Sequence, residues 1–487
     1  METSQRDTHR GQRASSQVLL DERILPRRFL VVSNRLPYQI TLADDEVRTT
    51  RGVGGLVTAL DPIVKRVGGT WIGWSGSYDE LPETVNVPDS DRDYNLRVVS
   101  LAPEEVEDFY LGYSNKSLWP LFHYFQEHCE FSQKQWAVYR DVNRKFADAV
   151  LREYREGDLI WIHDYHLMLV PAMLRENLPE AQIGFFLHVP FPSAELFLVE
   201  PHARELVEGV VGADLVGFHI DTYARNFVNA VDTITGYNCK DGERTIVVGD
   251  RTVHVGRFPI SIAFDRFERR ATGADADERV AEIHDYYHAD ILAIGVDRLD
   301  YTKGIPERLQ AIELMLERHP ELQGKFTFVQ ISAPSRTKVE AYREMREKVE
   351  QIVGRINGRF SGKGCIPIDY RYESYSQDDL GAYFRASNLG VVTPLRDGMN
   401  LVAKEYVASK IHGGGALVLS RFTGAYEELK GGAFVVNPYD LEGTAEEMYR
   451  AIVAPEEGKR IRMQRMRDSV RRNDIYWWLE RFLRALR

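Results

Sequence analysis

Between residues 159 and 235, short apolar runs alternate with single helical patterns, and this restricts the fold more than any other feature. Leu159-Ile-Trp-Ile-His163 predicts a strand and Leu167 to Arg175 a helix. Ile183-Gly-Phe-Phe-Leu-His188 is the next strand, followed by a proline-rich loop and a helix from about Glu195. Asp214-Leu-Val-Gly-Phe218 and the helix Thr222 to Thr235 repeat the unit. A strand that returns parallel to its predecessor needs a crossover, and one helix supplies it. The pattern therefore predicts a parallel sheet with helices on its faces. Phe29-Leu-Val-Val-Ser33 gives an earlier strand, and a polar loop then runs to Arg51. The alternation weakens over residues 236–257 and restarts after the charged stretch 266–278. Ile291–Val296, Phe326–Ile331, Leu389–Thr393, Ala416–Ser420 and Ala433–Val436 are the later strands. Two sheets of similar size, joined near residues 255–265, are the simplest arrangement.

A chain of 487 residues exceeds one ordinary core, so two or three domains are expected. Hydrophobic content of 44% and charged content of 28% suit a water-soluble globular protein. A net charge of −11 argues against a general nucleic-acid binder, although a local basic pocket would be hidden in that total. Cys129, Cys239 and Cys365 are far apart and fit neither a disulfide framework nor a zinc site, which suits a reducing cytoplasm. No apolar run approaches the roughly 20 residues that span a bilayer. The first 26 residues are polar and lack an apolar signal core, so a disordered tail is expected there.

Thr393-Pro-Leu-Arg-Asp-Gly-Met-Asn400 joins a buried strand to a helix that Asn400 would cap. A helix start at the carboxyl edge of a parallel sheet presents free N–H groups and holds an anion. Glu405, one turn into that helix, adds a carboxylate suited to a pair of hydroxyls, so a nucleotide sugar is the natural ligand. Arg298 and Lys303, five residues apart between another strand and helix, suit a diphosphate clamp. The plainer alternative is a solvated loop, salt-bridged by Asp297 and Asp300. Asn34-Arg35, His188 and Ser335-Arg336 place further polar groups at strand ends. Arg51-Gly-Val-Gly-Gly55 opens a helix and reads equally as a turn or as a binding loop. His163-Asp-Tyr-His166 lacks a third partner at ligand spacing, so a sugar-binding Asp164 is preferred to a metal, and no metal site is expected. The aromatic residues from Trp74 to Trp119 read as core, with a sugar-stacking wall as the alternative. Ile475 to Leu486 predicts an amphipathic terminal helix carrying two adjacent tryptophans.

Together the motifs SNRLP, GWSG, YSNKSLWPLFHY, WIHDYHL, GFFLHVPFP, DRLDYTKG, APSR, GRING and TPLRDGMNLVAKEYV resemble the trehalose-6-phosphate synthase family of retaining glycosyltransferases, from about Phe29 onward. The resemblance implies an α/β GT-B fold, two Rossmann-like domains with parallel sheets facing across a cleft. The expected division is a tail over residues 1–27, an acceptor-binding domain over 28–257, a nucleotide-sugar domain over 258–465, and a terminal helix over 466–487 that packs on a domain, across the hinge being one option. On that basis Gly55, Arg298, Lys303, Asn400 and Leu401 would bind the donor diphosphate, and Glu405 the ribose. Asp397 and His188 would contact the transferred glucose. Arg35 and Arg336 would hold the acceptor phosphate, with Trp74, Tyr110, Trp119 and Asp164 shaping its pocket. The implied reaction moves glucose from a nucleoside diphosphate to glucose 6-phosphate with retention. It calls on no cofactor and no general base, and its partners are small molecules rather than nucleic acid or membrane. UDP-glucose is the expected donor, with GDP- and ADP-glucose open. Another phosphorylated acceptor such as glycerol 3-phosphate, and a non-catalytic regulatory subunit, are the competing readings. No DxDGT-type phosphatase signature occurs, so the product is expected to keep its phosphate. The oligomeric state stays open, a homo-oligomer included.

Overall fold

The computed structural model describes residues 25–487 except 44, 45, 53, 54, 80, 88, 89, 91, 241, 243, 336–339 and 363. The expected disordered tail falls almost wholly outside the described residues. The first sheet has ten strands. Across it, in order, lie Asn238–Lys240, Thr245–Val248, Arg251–Arg257, Leu215–Phe218, Gln182–Phe186, Leu159–His163, Phe29–Arg35, Gly69–Trp74, Tyr94–Val98 and Thr84–Asn86. Strands from Arg251–Arg257 to Tyr94–Val98 run parallel, and the others join the edges antiparallel. The second sheet has six strands, all parallel, ordered Ile368–Arg371, Phe326–Ala333, Ile291–Arg298, Leu389–Val392, Ala416–Ser420, Phe434–Val436.

Central strands are apolar on both faces because helices cover both. Phe29 to Asn34 is buried without a break, and Trp71 and Trp161 are fully buried. The sheets are not of similar size, because residues 238–257 build strands rather than a weak connection. That segment alternates inward Ile246, Val253 and Val255 with polar residues; two of its strands are short, and Arg251–Arg257 carries too few apolar residues to stand out in the sequence. Three other local expectations shift. The polar stretch before Arg51 is a hairpin pairing Tyr38–Ala43 with Glu46–Arg51. The Leu167–Arg175 helix starts only at Val170, where Pro171 fits a first turn that needs no N–H. The helix from Glu195 is two short pieces, Ala194–Phe197 and Ala203–Val210.

Val106–Leu118 forms a wide π-helix, a rare winding that tends to occur at functional sites. The terminal helix Ile475–Leu486 returns to the first sheet. Its Phe482 ring stacks 4.3 Å from Trp161, and the Trp478 indole N–H donates to the Phe258 carbonyl at 3.1 Å. Strand ends from both sheets open onto one cleft of about 1220 Å³.

Candidate active site

One wall of the cleft grows from the strand Phe29–Arg35. At its end the exposed Arg35 guanidinium sits 3.9 Å over the Trp74 ring and 5.6 Å from Tyr110. Trp74 itself is buried and does not line the cleft; it is the platform under the arginine. A guanidinium on an aromatic face keeps its planar donors turned outward, toward an anion. Gly76 makes this possible: with φ of +89°, any Cβ there would lie 2.0 Å from Arg35 Nη1. Tyr110 comes from the π-helix and stacks on His166 at 5.8 Å. Asn115 holds that turn by donating to the Tyr110 carbonyl at 2.6 Å. Asp164 follows the strand Leu159–His163 at φ of +77°, costly backbone for a non-glycine residue. Its Oδ1 accepts from the His188 backbone N–H at 3.2 Å.

The opposite wall comes from the second sheet. Arg298 ends the strand Ile291–Arg298, exposed, with its guanidinium 5.5 Å from the Trp119 ring of the facing wall. Lys303 lies on the turn Tyr301–Lys303, and its Nζ meets Asp397 Oδ2 at 2.6 Å. An ammonium has three donors, so two remain for a second partner. Asp297 does not make this a mere salt-bridged loop, since it pairs with the fully buried Arg308. Asp300 accepts from Thr302 and from the Tyr342 hydroxyl.

Asn400 caps the helix Leu401–Ser409, its side chain accepting from the Ala403 N–H at 3.1 Å. Its amide also donates to Asp397 Oδ2 at 3.1 Å, and its φ is +70°. Burial pushes the Asp397 carboxyl up, but the Lys303 ammonium, with help from Asn400, outweighs that and holds it below its ordinary value. Glu405 is different. It does not line the cleft, and burial raises its carboxyl to about 7 against the opposing pull of Arg270. Gly55 begins the helix Gly55–Val67, whose Leu56 and Val57 line the cleft. Arg336 lies outside the described residues, and neighbouring Pro334 lines the cleft.

The cleft thus gathers Arg35, Tyr110, Trp119, Asp164 and His188 from the first sheet's side. Arg298, Lys303, Asp397, Asn400 and Leu401 meet them from the second. Among the described residues no three His, Cys, Asp or Glu side chains are grouped to hold a metal ion. Two groups escaped the sequence reading. His219 follows a strand just as His163 and His188 do, so the same strand-end rule would have found it. Tyr223 donates its hydroxyl to the Asp397 carbonyl at 3.3 Å, and Arg396 lies 4.0 Å over Tyr124. These contacts tie the walls together, and nothing local in the sequence signals partners 174 residues apart.

Comparison with known proteins fits this geometry. The family model described as glycosyltransferase family 20 matches residues 27–487. A protein of Mycobacterium sp. (strain KMS), named trehalose-6-phosphate synthase, is 44% identical over 468 residues, covering 94% of each chain. The namesake from Mycolicibacterium smegmatis is also 44% identical, covering 94% of this chain and 92% of its own. A Burkholderia xenovorans alpha,alpha-trehalose-phosphate synthase (UDP-forming), solved in complex with glucose-6-phosphate, superposes with a TM-score of 0.86 at 35% identity, covering 94% of this chain and 99% of that one. An E. coli structure bound with UDP-2-fluoro glucose gives 0.86 at 34% identity, covering 94% and 98%.

Proposed function

We propose that this chain, which belongs to glycosyltransferase family 20, makes α,α-trehalose 6-phosphate from UDP-glucose and glucose 6-phosphate with retention at the transferred carbon. The observation that carries the reading is the two-sided cleft. A stacked arginine beside aromatic rings faces two cations and a capped helix start. The first side suits a sugar phosphate, the second a sugar diphosphate.

In this reading the Arg35 guanidinium holds the acceptor phosphate, and Trp74, Tyr110, Trp119 and Asp164 set the shape around it. Arg336 is assigned to the same phosphate from its sequence motif. Arg298, the free N–H groups of Lys303 and the backbone at Asn400 and Leu401 hold the diphosphate, with Gly55 approaching it from the other wall. Glu405 takes the ribose hydroxyls. As the bond between the glucose anomeric carbon and the diphosphate oxygen breaks, negative charge grows on the leaving group and the clamp offsets it. The acceptor's anomeric oxygen bonds the same face of that carbon, and its proton passes to the departing phosphate oxygen. Asp397, kept ionised by Lys303, supplies a negative charge beside the electron-poor sugar, and His188 contacts its hydroxyls. Closure of the walls excludes the water that would hydrolyse the donor. The offsetting cations are side chains, so we assign no cofactor.

No helix among the described residues is long and apolar enough to cross a membrane. The unpaired Cys129, Cys239 and Cys365 support a reducing, cytoplasmic site of action. The reading is tested by UDP release from UDP-glucose with glucose 6-phosphate or glycerol 3-phosphate as acceptor. A preference of at least tenfold for glucose 6-phosphate is expected; equal or reversed rates would replace the acceptor assignment.

A further inference from the structure

Behind His188 the cleft wall holds titratable groups that the proposed transfer does not use. His163, His188 and His219 follow three adjacent parallel strands, Leu159–His163, Gln182–Phe186 and Leu215–Phe218. All three line the cleft, His163 and His219 as buried side chains and His188 half-buried. His163 Nδ1 lies 3.1 Å from His188 Nε2, with the rings 5.3 Å apart and 29° from parallel. His163 Nε2 is buried and makes no hydrogen bond among the described residues. His219 stands 5.5 Å from the His188 ring on the other side, and its Nδ1 accepts from the Ile260 N–H at 3.5 Å.

No carboxylate hydrogen-bonds these rings among the described residues; Asp164 accepts from the His188 backbone instead. Burial drives the pKa of His163 and His188 well down, and each also feels a neighbouring imidazole. Burial takes His219 to about 3, and Lys404 adds to that lowering. All three rings are therefore neutral at physiological pH.

Two neutral imidazoles meeting nitrogen to nitrogen share one proton on the line between them, so their tautomers are locked together. With the proton on His163 Nδ1, His188 carries its own proton on Nδ1. With the proton on His188 Nε2, His188 Nδ1 is a bare acceptor. The second arrangement also buries an orphaned N–H at His163 Nε2; the first leaves only a lone pair there. An orphaned donor is the rarer and costlier of the two. We propose that His163 is a positioning residue whose Nδ1–H donates to His188 Nε2, so that His188 presents a neutral Nδ1–H donor to an oxygen of the sugar in the cleft. The role of the sugar rests on the transfer reading above; the tautomer does not.

Three variants and one spectrum test it. His163→Phe keeps a ring but removes the donor, and KM for UDP-glucose should rise about tenfold. His163→Asn can still donate through its amide and should recover to within about threefold of wild type. His163→Asp can only accept. It should place the proton on His188 Nε2, leave Nδ1 bare and raise the His188 pKa, so kcat at saturating substrates is depressed at pH 8 and recovers several-fold toward pH 6, where protonation restores the Nδ1–H; wild type stays level. A packing role alone would make Phe and Asn equally impaired and would leave the Asp variant without that recovery at low pH, which overturns the proposal. Wild-type kinetics in His163→Phe would overturn it too. Imidazole nitrogen NMR of the histidine-labelled wild-type protein reads the tautomer without turnover: protonated Nδ1 on His188 is expected, and protonated Nε2 contradicts it. If wild type transfers no glucose, the functional reading fails while this spectrum still decides the tautomer.

Discussion

Single side chains divide the work of the cleft by how they are partnered. Arg298 is exposed and rests near Trp119, so Arg298→Ala should lower turnover by about 10² to 10³-fold, as loss of a charge-stabilising donor does. Its melting temperature should stay within about 1 °C of wild type. Lys303→Ala should cost as much turnover but also lower the melting temperature, because it strands the Asp397 carboxylate. Equal stability of the two variants would contradict that difference. Glu405 gives a pH signature. Its carboxyl is raised to about 7 by burial, so the folded protein keeps a proton that the unfolded chain loses above its ordinary value of 4.5. Stability from this group therefore falls as pH rises from about 4.5 to about 7 and is level beyond. A ribose-binding carboxylate works best ionised, so KM for UDP-glucose should fall several-fold between pH 6 and pH 8. Glu405→Gln should flatten that profile, and an unchanged profile would remove Glu405 from the donor site. The sequence marked Arg298 and Lys303 well because they stand at and just beyond a strand end, where apolar patterning stops and a polar residue stands out; Glu405 was marked by its place one turn into a helix. It said nothing of their partners: that Lys303 binds Asp397, or that Arg35 lies on Trp74, depends on chain segments brought together only by the fold.

Elements were legible where their periodicity was long. The strands Phe29–Arg35 and Leu159–His163 and the helix to Thr235 all announce themselves by apolar spacing. The strands of residues 238–257 are interrupted by polar residues, and the π-helix Val106–Leu118 has no sequence period of its own to detect. Yet that helix delivers Tyr110, and the tight turn after Gly69–Trp74 delivers room for Arg35. Gly76→Ala would add a Cβ in contact with the guanidinium, at a φ that costs a non-glycine residue roughly 1–2 kcal/mol. The expected outcome is a tenfold or larger rise in KM for glucose 6-phosphate with KM for UDP-glucose unchanged. A rise in both constants would show that the turn serves the whole cleft rather than its acceptor side.

At the scale of the molecule, the two sheets share one buried apolar cluster with the terminal helix, and direct contacts hold their facing walls together at the cleft. A Cβ on Gly398 would lie 2.2 Å from the His188 carbonyl oxygen, so the loop bearing Asp397 seats flush on the wall bearing His188. Tyr223 and Tyr124 grip the same loop, and the terminal helix returns to the first sheet through Trp478 and Phe482. Gly398→Ala should therefore hold the walls apart, giving a larger radius of gyration in solution scattering and a lower kcat, with more UDP released per disaccharide formed. An unchanged radius and kcat would mean the loop does not need that close approach. The two-sheet plan was readable from strand and helix alternation, whereas this closeness was not, because a glycine's reason lies in what would collide with it. The cleft's two sides matter only if both substrates react within it. The most direct measurement is proton NMR of the product when purified protein is given UDP-glucose and glucose 6-phosphate. One UDP for each α,α-linked phosphorylated disaccharide is predicted; free glucose with UDP, a β linkage, or no UDP at all would contradict the account.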